Sequence, residues 1–278
     1  MKQYLVVFAA FFMGITSCKS QNLDVMTYNI RLDIASDGEN AWGNRKEFFS
    51  SQVLFYAPDI LSVQEARPNQ MTDLKTALKD YKAIGLGRDG ADTGEHSSIF
   101  YNSKKLKVEN VETFWLSETP NAVSKSWDAA FPRICTYGLF TVLKSKQKVW
   151  IFNTHLDHVG VNARLNGMQL ILKKINEVNT QKLPVILTGD FNVEPNDELI
   201  TTLKQDMIDS KDIAKITFGP EGTFNSFKYN EPANRRIDYI MLSKSSKMEV
   251  EKYAVLTSAI DFKYPSDHFP VFVTLKFK

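Results

Sequence analysis

Cysteine and histidine are scarce in this chain, and their scarcity argues against two classes of protein. The 278 residues include two cysteines, Cys18 and Cys135, and four histidines. Cys18 lies in a segment that we expect to be a leader, so Cys135 stands alone in the rest and no intramolecular disulfide can form. Four histidines are few for a dinuclear zinc site. The segment 153–158 has the spacing of an HxHxDH zinc motif, but Asn153 replaces its first histidine.

Several catalytic motifs and any excess of one charge are also missing. The sequence contains no GxSxG nucleophile elbow, no P-loop and no glycine-rich dinucleotide fingerprint. Its 34 basic and 32 acidic residues are interspersed, which neither demands nor excludes a polyanionic partner. No proline-, glycine- or serine-rich linker and no internal repeat divides the chain. We therefore expect one domain over 22–278, and a monomer.

The first 18 residues have the order of an export signal. Lys2 precedes an apolar run over 5–14 that is too short to span a bilayer as a permanent helix. Small residues then lead into Cys18, as in a bacterial lipoprotein signal, in which that cysteine becomes the lipidated first residue of the mature protein. An ordinary signal cleaved near the same place is the alternative. We expect an exported protein, lipid-anchored in the bacterial cell envelope or otherwise periplasmic or secreted.

Hydrophobic periodicity predicts many strands and few helices. Strands are expected over 23–30, 59–64, 83–86, 98–101, 108–115, 134–143, 148–155, 184–187, 236–242, 248–256 and 269–277. Helices are expected over 44–56, 68–78, 162–178 and 198–203. Because several strands follow one another directly, the pattern indicates a layered α+β protein rather than a doubly wound parallel sheet.

The segment 187–192 carries the first candidate site. An apolar strand ends there at Gly189-Asp190-Phe191-Asn192. Side chains alternate along a strand, so Asp190 and Asn192 share one face while Phe191 turns into the core. A carboxylate beside a carboxamide can hold a water molecule, a metal ion or a phosphate oxygen. Glycine, aspartate and asparagine are also ordinary turn residues, so a plain turn is the alternative.

Other polar residues also follow apolar strands, where a rigid scaffold usually displays its reactive groups. They are Asn29, Glu65, His155 with Asp157, Asp238, and Asp267 with His268. Each alone has a structural explanation; Asp238, for example, can pair with Arg235 or Arg236. Together they are rich in hard oxygen donors, which favours Mg²⁺, with Mn²⁺ or Ca²⁺ as alternatives, over zinc.

Six short motifs, in order along the chain, resemble the endonuclease/exonuclease/phosphatase superfamily, the DNase I-like proteins. They are TYN at 27–29, QE at 64–65, NTHL at 153–156, GDFN at 189–192, RIDY at 236–239 and SDH at 266–268. Further motifs at 87–90, 94–97, 114–120 and 127–133 resemble a bacterial branch near the deadenylase-like members. Such members often have Tyr-Ser-Pro where this chain has His96-Ser97-Ser98, a departure close to the site.

The resemblance runs from about residue 24 to the C-terminus, and it implies a fold and a metal site. The implied fold is a four-layer α/β sandwich, with two facing, mainly antiparallel sheets flanked by helices and the site at one rim. Glu65 would be the main metal ligand, helped by Asn29 and, through water, by Asp267.

The resemblance also implies the catalytic roles. Asp190 and Asn192 would position the attacking water and hold a phosphate oxygen. His155 would donate to the phosphoryl group as charge builds there. Asp238 would orient His268 and stabilise its imidazolium form, as the acid does in other Asp–His pairs.

Arginines and aromatic residues near these motifs are candidates for contacts with the substrate. Arg88, Arg133 and Arg164 are the candidates: Arg133 for contact with a phosphate, Arg164 for the rim, and Arg88, with Glu95, for a place beside the metal. Surface arginines are also common without a ligand. Trp115, Trp127 and Phe131 are candidates for stacking on a base or sugar, although core aromatics are commoner.

Phosphoryl hydrolysis depends mostly on positioning and electrostatic stabilisation, which a divalent ion, a donor histidine and a held water supply. The sequence therefore predicts a divalent-metal-dependent phosphoester hydrolase, acting on a small molecule, a lipid headgroup or a nucleic acid. A secreted nuclease on DNA or RNA is the first alternative, but it needs an extended basic face, of which the balanced charge gives no sign. The second is a non-catalytic binding lipoprotein on the same fold.

Overall fold

The computed structural model describes residues 22–278, which contain thirteen strands and five α-helices. The predicted leader at 1–18, with the lipidation site Cys18, lies outside the described residues and stays a prediction. Among the described helices, none combines the length and the apolar character that a membrane span requires.

Two mixed sheets contain the strands. The first contains β1 (Asn22–Asn29), β2 (Ile60–Gln64), β3 (Tyr81–Ile84), β4 (Ile99–Asn102), β10 (Ile216–Phe218), β12 (Met248–Val255) and β13 (Val271–Phe277). The second contains β5 (Leu106–Trp115), β6 (Ile134–Val142), β7 (Lys148–His155), β8 (Val185–Asp190), β9 (Met207–Asp209) and β11 (Asp238–Ser243). Their orders are β10-β12-β13-β1-β2-β4-β3 and β5-β6-β7-β8-β11-β9. Among these strands, β1–β2, β7–β8 and β10–β12 pair in parallel and the other neighbours antiparallel, as predicted.

Helices cover the outer face of each sheet. They are α1 (Trp42–Tyr56), α2 (Pro68–Ala77), α3 (Val161–Val178), α4 (Glu198–Leu203) and α5 (Ser210–Ile213). α1 and α2 bury Phe49 and Leu74 against the first sheet, whereas α3 and α4 enclose a cluster around Ile171 on the second. A third apolar cluster, which includes Val25 and Ile240, fills the space between the sheets. The predicted four-layer α/β sandwich is confirmed.

The two ends of the sandwich differ, and we name them separately. The rim is the end where β1, β2, β7 and β8 finish, at Asn29, Gln64, His155 and Asp190. The basal face is the opposite end, where these four strands begin. Parallel pairing of β1 with β2 and of β7 with β8 brings the four strand ends to the rim together.

The space between the sheets becomes polar toward the rim. Asn153 of β7 donates through Nδ2 to the carbonyl oxygens of Val63, at 2.9 Å, and Ser98, at 3.0 Å. Its Oδ1 accepts from Gln64 Nε2 at 2.7 Å. Both side chains are fully buried. This link holds β7 against β2, so it fixes the separation of the strand ends that carry His155 and Glu65.

The longer elements are close to their predicted bounds, and the differences are local. The strand expected over 83–86 lies at Tyr81–Ile84, because the chain turns at Gly85, where φ is 119°. Three short elements, β9, α5 and β10, were not predicted. Each has only three or four residues, too few for a readable periodicity.

Cys135 lies in β6 and is fully buried. It packs in the same apolar cluster as Phe152 and Leu187. Burial raises the pKa of its thiol, so Cys135 stays protonated and unreactive in the folded protein.

Replacing Asn153 tests whether the polar link holds the sheets together. Asn153→Ala removes one hydrogen bond each from the Val63 carbonyl, the Ser98 carbonyl and the Gln64 amide. We expect the free energy of unfolding to fall by about 3 kcal/mol, as measured by urea denaturation. Asn176→Ala on the exposed surface of α3 is the control and should change stability little. A loss of the same size in both variants would contradict the role of the link.

Candidate active site

The polar residues that follow the predicted strands meet at the rim. They come from both sheets and surround one cavity of about 520 Å³. The members of the predicted set that line it are Glu65, His155, Asp190, Asn192, Asp267 and His268. Asn29 and Asp238 are buried behind the residues that line the cavity. Asn29 donates a hydrogen bond to Asp190, and Asp238 accepts one from His268. The sequence therefore predicted which residues come together.

The end of β8 is shaped by Gly189 and Phe191. A Cβ atom at Gly189 would lie 2.0 Å from the Thr154 carbonyl oxygen, so only glycine permits this approach of β7 and β8. Phe191 is fully buried and stacks on Tyr239 with ring centroids 5.0 Å apart. Asn192 adopts a left-handed conformation with φ of 55°, which returns its side chain to the cavity. Asp190 and Asn192 therefore face the same cavity, as predicted, but Asn192 lies beyond β8 and reaches it through this turn of the backbone and not by strand alternation.

The Asp190 carboxylate is buried and held on both oxygens. Oδ2 accepts from Asn29 Nδ2 at 2.9 Å, and Oδ1 accepts from the Asn192 backbone N–H at 2.9 Å. Burial, with a contribution from the charge of Asp238, raises the pKa of Asp190 to about 7. A carboxyl group that titrates near neutral pH can accept a proton from water and release it again.

His268 is paired with Asp238 as the resemblance implies. Its Nδ1 lies 2.9 Å from Asp238 Oδ2, and its Nε2 lies 3.8 Å from Asp190 Oδ2. Burial alone would lower the pKa of His268, but the charge and hydrogen bond of Asp238 outweigh it and raise the pKa to about 10. The ring is therefore an imidazolium at neutral pH, with an N–H directed toward Asp190.

His155 has the opposite electrostatic state. Burial and the charge of Arg133 lower the pKa of His155 well below its usual value, so the ring is neutral. Asn192 Nδ2 donates to the Leu156 carbonyl at 3.0 Å and also lies 3.0 Å from His155 Nε2. This contact makes Nε2 an acceptor and leaves the ring proton on Nδ1. Donation by His155 to a phosphoryl group stays a prediction.

Two carboxylates on the first-sheet side provide oxygen donors for a cation. Glu65 has a left-handed backbone, with φ of 65°, and accepts from Asn29 Nδ2 at 3.0 Å and from the Leu32 N–H at 2.9 Å. Burial raises the pKa of Asp267 to about 6 against the opposing charge of His268, and the Glu65 carboxylate adds to the rise. Asp267 is buried and Glu65 is partly buried, and two such acids that repel each other are stabilised by a positive ion between them.

The donor set fits a hard divalent cation, and two groupings of side chains can be distinguished. The predicted grouping is Glu65 with Asn29 and Asp267. The second consists of Asp190, Asp238 and His268, whose ligand atoms lie within 4.8 Å of one another. Asp238 holds the His268 ring through Nδ1, so Nε2 is the ring nitrogen left to serve as a ligand. Glu65 with Asn29 and Asp267 stays the predicted metal grouping, and Asp190 with Asp238 and His268 is the alternative.

The predicted substrate-binding arginines occupy different places. Arg88 and Arg133 line the cavity, whereas Arg164 lines a neighbouring cavity of about 320 Å³ that shares Asn192 with it. Arg88 Nη1 pairs with Glu95 Oε2 at 2.8 Å. Arg133 is buried, with Nε 3.3 Å from Asp157 Oδ2.

Of the three predicted aromatic candidates, only Phe131 reaches the cavity. Its side chain is 47% exposed, and the Arg88 guanidinium lies 4.8 Å from the ring centroid. The ring also stacks on His158. Trp115 is buried and donates to the Arg88 carbonyl at 2.7 Å, so it supports the wall instead of contacting a ligand. Trp127 does not line the cavity.

The sequence departure at His96 lies between two segments of the site. His96 forms backbone bridges to Ala66 and to Gly87, and its ring Nδ1 lies 3.0 Å from the Ala66 carbonyl oxygen. It therefore holds the segment of Glu65 beside that of Arg88. The residue is buried, which indicates that it acts through position and not by touching a ligand.

Several residues that line the cavity were not predicted, among them Arg31, Phe224 and Arg235. Arg31 follows the first motif by two positions and lies 3.8 Å from Asp267 Oδ2, so its proximity to Asn29 in sequence was the available signal. The Phe224 ring contacts the His268 ring edge-on, with ring centroids 5.1 Å apart. The Arg235 guanidinium lies over the Phe224 ring, 5.5 Å from its centroid. Nothing in the pattern around Phe224 indicates this contact, which depends on a long irregular connection.

A solved structure with a stated activity is similar to this chain over nearly its whole length. The mannosyl-6-phosphatase of Bacteroides thetaiotaomicron superposes with a TM-score of 0.87 at 39% sequence identity, and the match covers 92% of this chain and 100% of that one.

Curated relatives match over shorter parts. An uncharacterized protein of Acanthamoeba polyphaga mimivirus is 30% identical over 176 residues, which are 60% of this chain and 65% of that protein. A probable RNA exonuclease of Saccharomyces cerevisiae is 26% identical over 201 residues, 64% of this chain and 39% of that protein. The chain thus covers less than two thirds of the length of these relatives.

The sequence profile described as "Endonuclease/Exonuclease/phosphatase family" matches residues 26–268. This range contains all the residues of the predicted site except its lipidation site. The activities in that description all break phosphoester bonds, so the expected enzyme class is confirmed at the level of the family. On its fold, its rim residues and this match, the chain belongs to the endonuclease/exonuclease/phosphatase family.

Proposed function

We propose that this protein is a divalent-metal-dependent phosphoester hydrolase that removes phosphate from small polyhydroxylated molecules such as sugar phosphates. The observation that carries the proposal is the buried arrangement of Asp190, Asp238 and His268 beside the carboxylates Glu65 and Asp267. It combines a proton acceptor, a fixed positive charge and oxygen donors for a cation around one cavity.

The second-sheet residues prepare water for attack on phosphorus. Asp190, with its raised pKa, accepts a proton from the water as the water oxygen bonds to phosphorus and the bond from phosphorus to the leaving oxygen breaks. The leaving oxygen takes up a proton from solvent and departs as the alcohol. The His268 imidazolium, held by Asp238, faces the negative charge that develops on the phosphoryl oxygens. Asn192 positions the same oxygens, and its contact with His155 Nε2 fixes the orientation of both side chains.

The first-sheet residues would hold the cation. Glu65 and Asp267 supply carboxylate oxygens, and Asn29 keeps Glu65 and Asp190 in register by donating to both. A divalent ion held there would supply stabilisation of the negative charge that develops in the reaction. The burial of Asp267 would strengthen its attraction for such an ion, because the interior screens charges less than water does.

The shape and lining of the cavity support a small polar leaving group. Its volume of about 520 Å³ is that of a small-molecule site. One wall presents the Arg88–Glu95 pair, which offers both donors and acceptors, beside the half-exposed face of Phe131. Sugar hydroxyls both donate and accept, and the carbon face of a sugar ring packs on an aromatic ring. The 39% identity to a mannosyl-6-phosphatase supports the same substrate class.

The charge of the rim argues against the nuclease alternative. The eight connections between elements at this end lie at 30–41, 65–67, 85–98, 116–133, 156–160, 191–197, 219–237 and 256–270. They contain sixteen acidic and nine basic residues. A surface with this excess of acidic residues repels a long phosphate backbone. A single phosphate group can still bind beside a cation in the cavity.

An assay of residues 19–278 tests the proposed activity. With Mg²⁺ or Mn²⁺, we expect phosphate release from mannose 6-phosphate, glucose 6-phosphate and p-nitrophenyl phosphate, and little action on DNA, RNA or sphingomyelin. Removal of divalent ions with EDTA should abolish turnover, and adding Mg²⁺ back should restore it. Faster cleavage of DNA or RNA than of the sugar phosphates would favour the nuclease alternative. No activity on any of these substrates, with or without a divalent metal, would favour a binding protein.

Replacing Asp190 tests the assignment of the proton acceptor. Asp190→Ala removes the base and the carboxylate that faces His268, so we expect turnover to fall by about three orders of magnitude or more. The circular dichroism spectrum should stay that of the folded protein. Asp92→Ala, at an exposed position in a rim connection, is the control and should retain activity. An Asp190→Ala protein with ordinary turnover would show that the assignment is wrong.

Replacing Arg88 or Glu95 tests the substrate class. Each of Arg88→Ala and Glu95→Ala should lower kcat/KM for mannose 6-phosphate by about tenfold or more, through lost hydrogen bonds to the sugar. The kcat/KM for p-nitrophenyl phosphate, which has no hydroxyl groups, should change much less. Lys125→Ala serves as the control. Equal losses on both substrates would mean that the pair supports the site and does not select the leaving group.

A further inference from the structure

The basal face carries a charge opposite to that of the rim. Its connections lie at 57–59, 78–80, 103–105, 143–147, 179–184, 204–206 and 244–247, and Lys278 follows β13 at the same end. Together they contain ten lysines and three aspartates, with no arginine or glutamate. Because the whole chain is nearly balanced, the fold itself has separated positive charge from negative.

Much of this basal charge is not neutralised within the protein. Four of the ten lysines are paired: Lys104 with Asp80, Lys105 with Asp59, Lys204 with Asp212 and Lys278 with Glu249. Lys144, Lys146 and Lys247, by contrast, are exposed and form no ion pair with any described residue. Exposed, unpaired lysines from separate connections of one face give a positive potential that extends into the solvent.

An exposed apolar pair lies beside these lysines. Leu54 and Phe55 stand in the last turn of α1, directly before the basal connection at 57–59. Their side chains are 52% and 81% exposed. Exposed aromatic and aliphatic groups beside lysines are typical of surfaces that enter the headgroup region of a bilayer.

The start of β1 places the predicted lipid anchor at the same face. Asn22, the first residue of β1, pairs with Lys276 at the basal end of the first sheet. Only three residues separate it from Cys18. So short a segment reaches at most about 14 Å when fully extended, so a lipid on Cys18 would hold the basal face close to the membrane.

We propose that the basal face docks on an anionic phospholipid bilayer and that the rim consequently points away from it. The lysines pair with lipid phosphates, Phe55 and Leu54 enter the headgroup layer, and the anchor at Cys18 keeps them there. The docking depends on charge and exposed apolar side chains and is independent of the phosphoester hydrolase activity.

Vesicle binding tests the surface without the anchor. We expect residues 19–278 to sediment with vesicles of equal parts phosphatidylglycerol and phosphatidylcholine, and not with phosphatidylcholine alone. High salt should release the protein. The triple variant Lys144→Gln, Lys146→Gln, Lys247→Gln should bind on the order of a hundredfold more weakly, since each lysine contributes about a factor of five. Its activity on p-nitrophenyl phosphate should stay unchanged, which also shows that it is folded.

A variant with the same change of net charge is the matched control. Lys125→Gln, Lys228→Gln, Lys263→Gln removes three exposed lysines from rim connections, and binding should change less than threefold. Equal weakening by both triple variants would show that net charge alone acts and would overturn the proposal. The proposal would also be overturned if the unaltered protein did not prefer anionic vesicles, or if it bound double-stranded DNA more tightly than those vesicles.

The contribution of the apolar pair is measured separately. Phe55→Ser should weaken vesicle binding severalfold while the salt dependence stays that of the unaltered protein, because apolar insertion releases no counterions. If neither Phe55→Ser nor the triple lysine variant weakens vesicle binding, the membrane contact lies elsewhere and the proposal is wrong.

Discussion

The hydrogen bond from the Asn29 amide to the Asp190 carboxylate is the contact on which the site depends. It joins β1 of the first sheet to β8 of the second at 2.9 Å, and the same nitrogen donates to Glu65 at 3.0 Å. These side chains meet only when the two sheets pack at the correct separation. The buried link between Asn153 and Gln64 sets that separation one layer below. Site and sandwich therefore form together.

The two histidines of the site differ in protonation because their neighbours differ in charge. Asp238 places negative charge beside His268 and raises its pKa, whereas Arg133 places positive charge beside His155, which burial alone already keeps neutral. Two histidines on one cavity thus have different protonation states at the same pH. A change at either neighbour would alter the protonation of the ring without touching the ring itself.

The sequence predicted which residues form the site better than it predicted their backbone conformations and hydrogen-bonding roles. Strand alternation predicted that Asp190 and Asn192 share one face, and both do line the cavity, although Asn192 lies beyond the end of β8 and reaches it through a left-handed backbone. The four layers followed from the family resemblance. The left-handed backbone of Glu65 and the acceptor role of His155 Nε2 depend on contacts between distant segments, so no local pattern revealed them. Phe224 was missed for the same reason, since it reaches His268 from an irregular connection.

The length of β1 has a consequence for how a charged substrate reaches the site. Seven residue steps separate Asn22 from Asn29, which is roughly 23 Å of extended chain. The negative potential of an anionic membrane decays over about 8 Å at physiological ionic strength. With the basal face on the lipid, the rim would lie well over two decay lengths away, where phosphorylated molecules diffuse as they do in bulk solution. The strand that supplies Asn29 would then also act as a spacer, keeping the membrane from repelling the substrate.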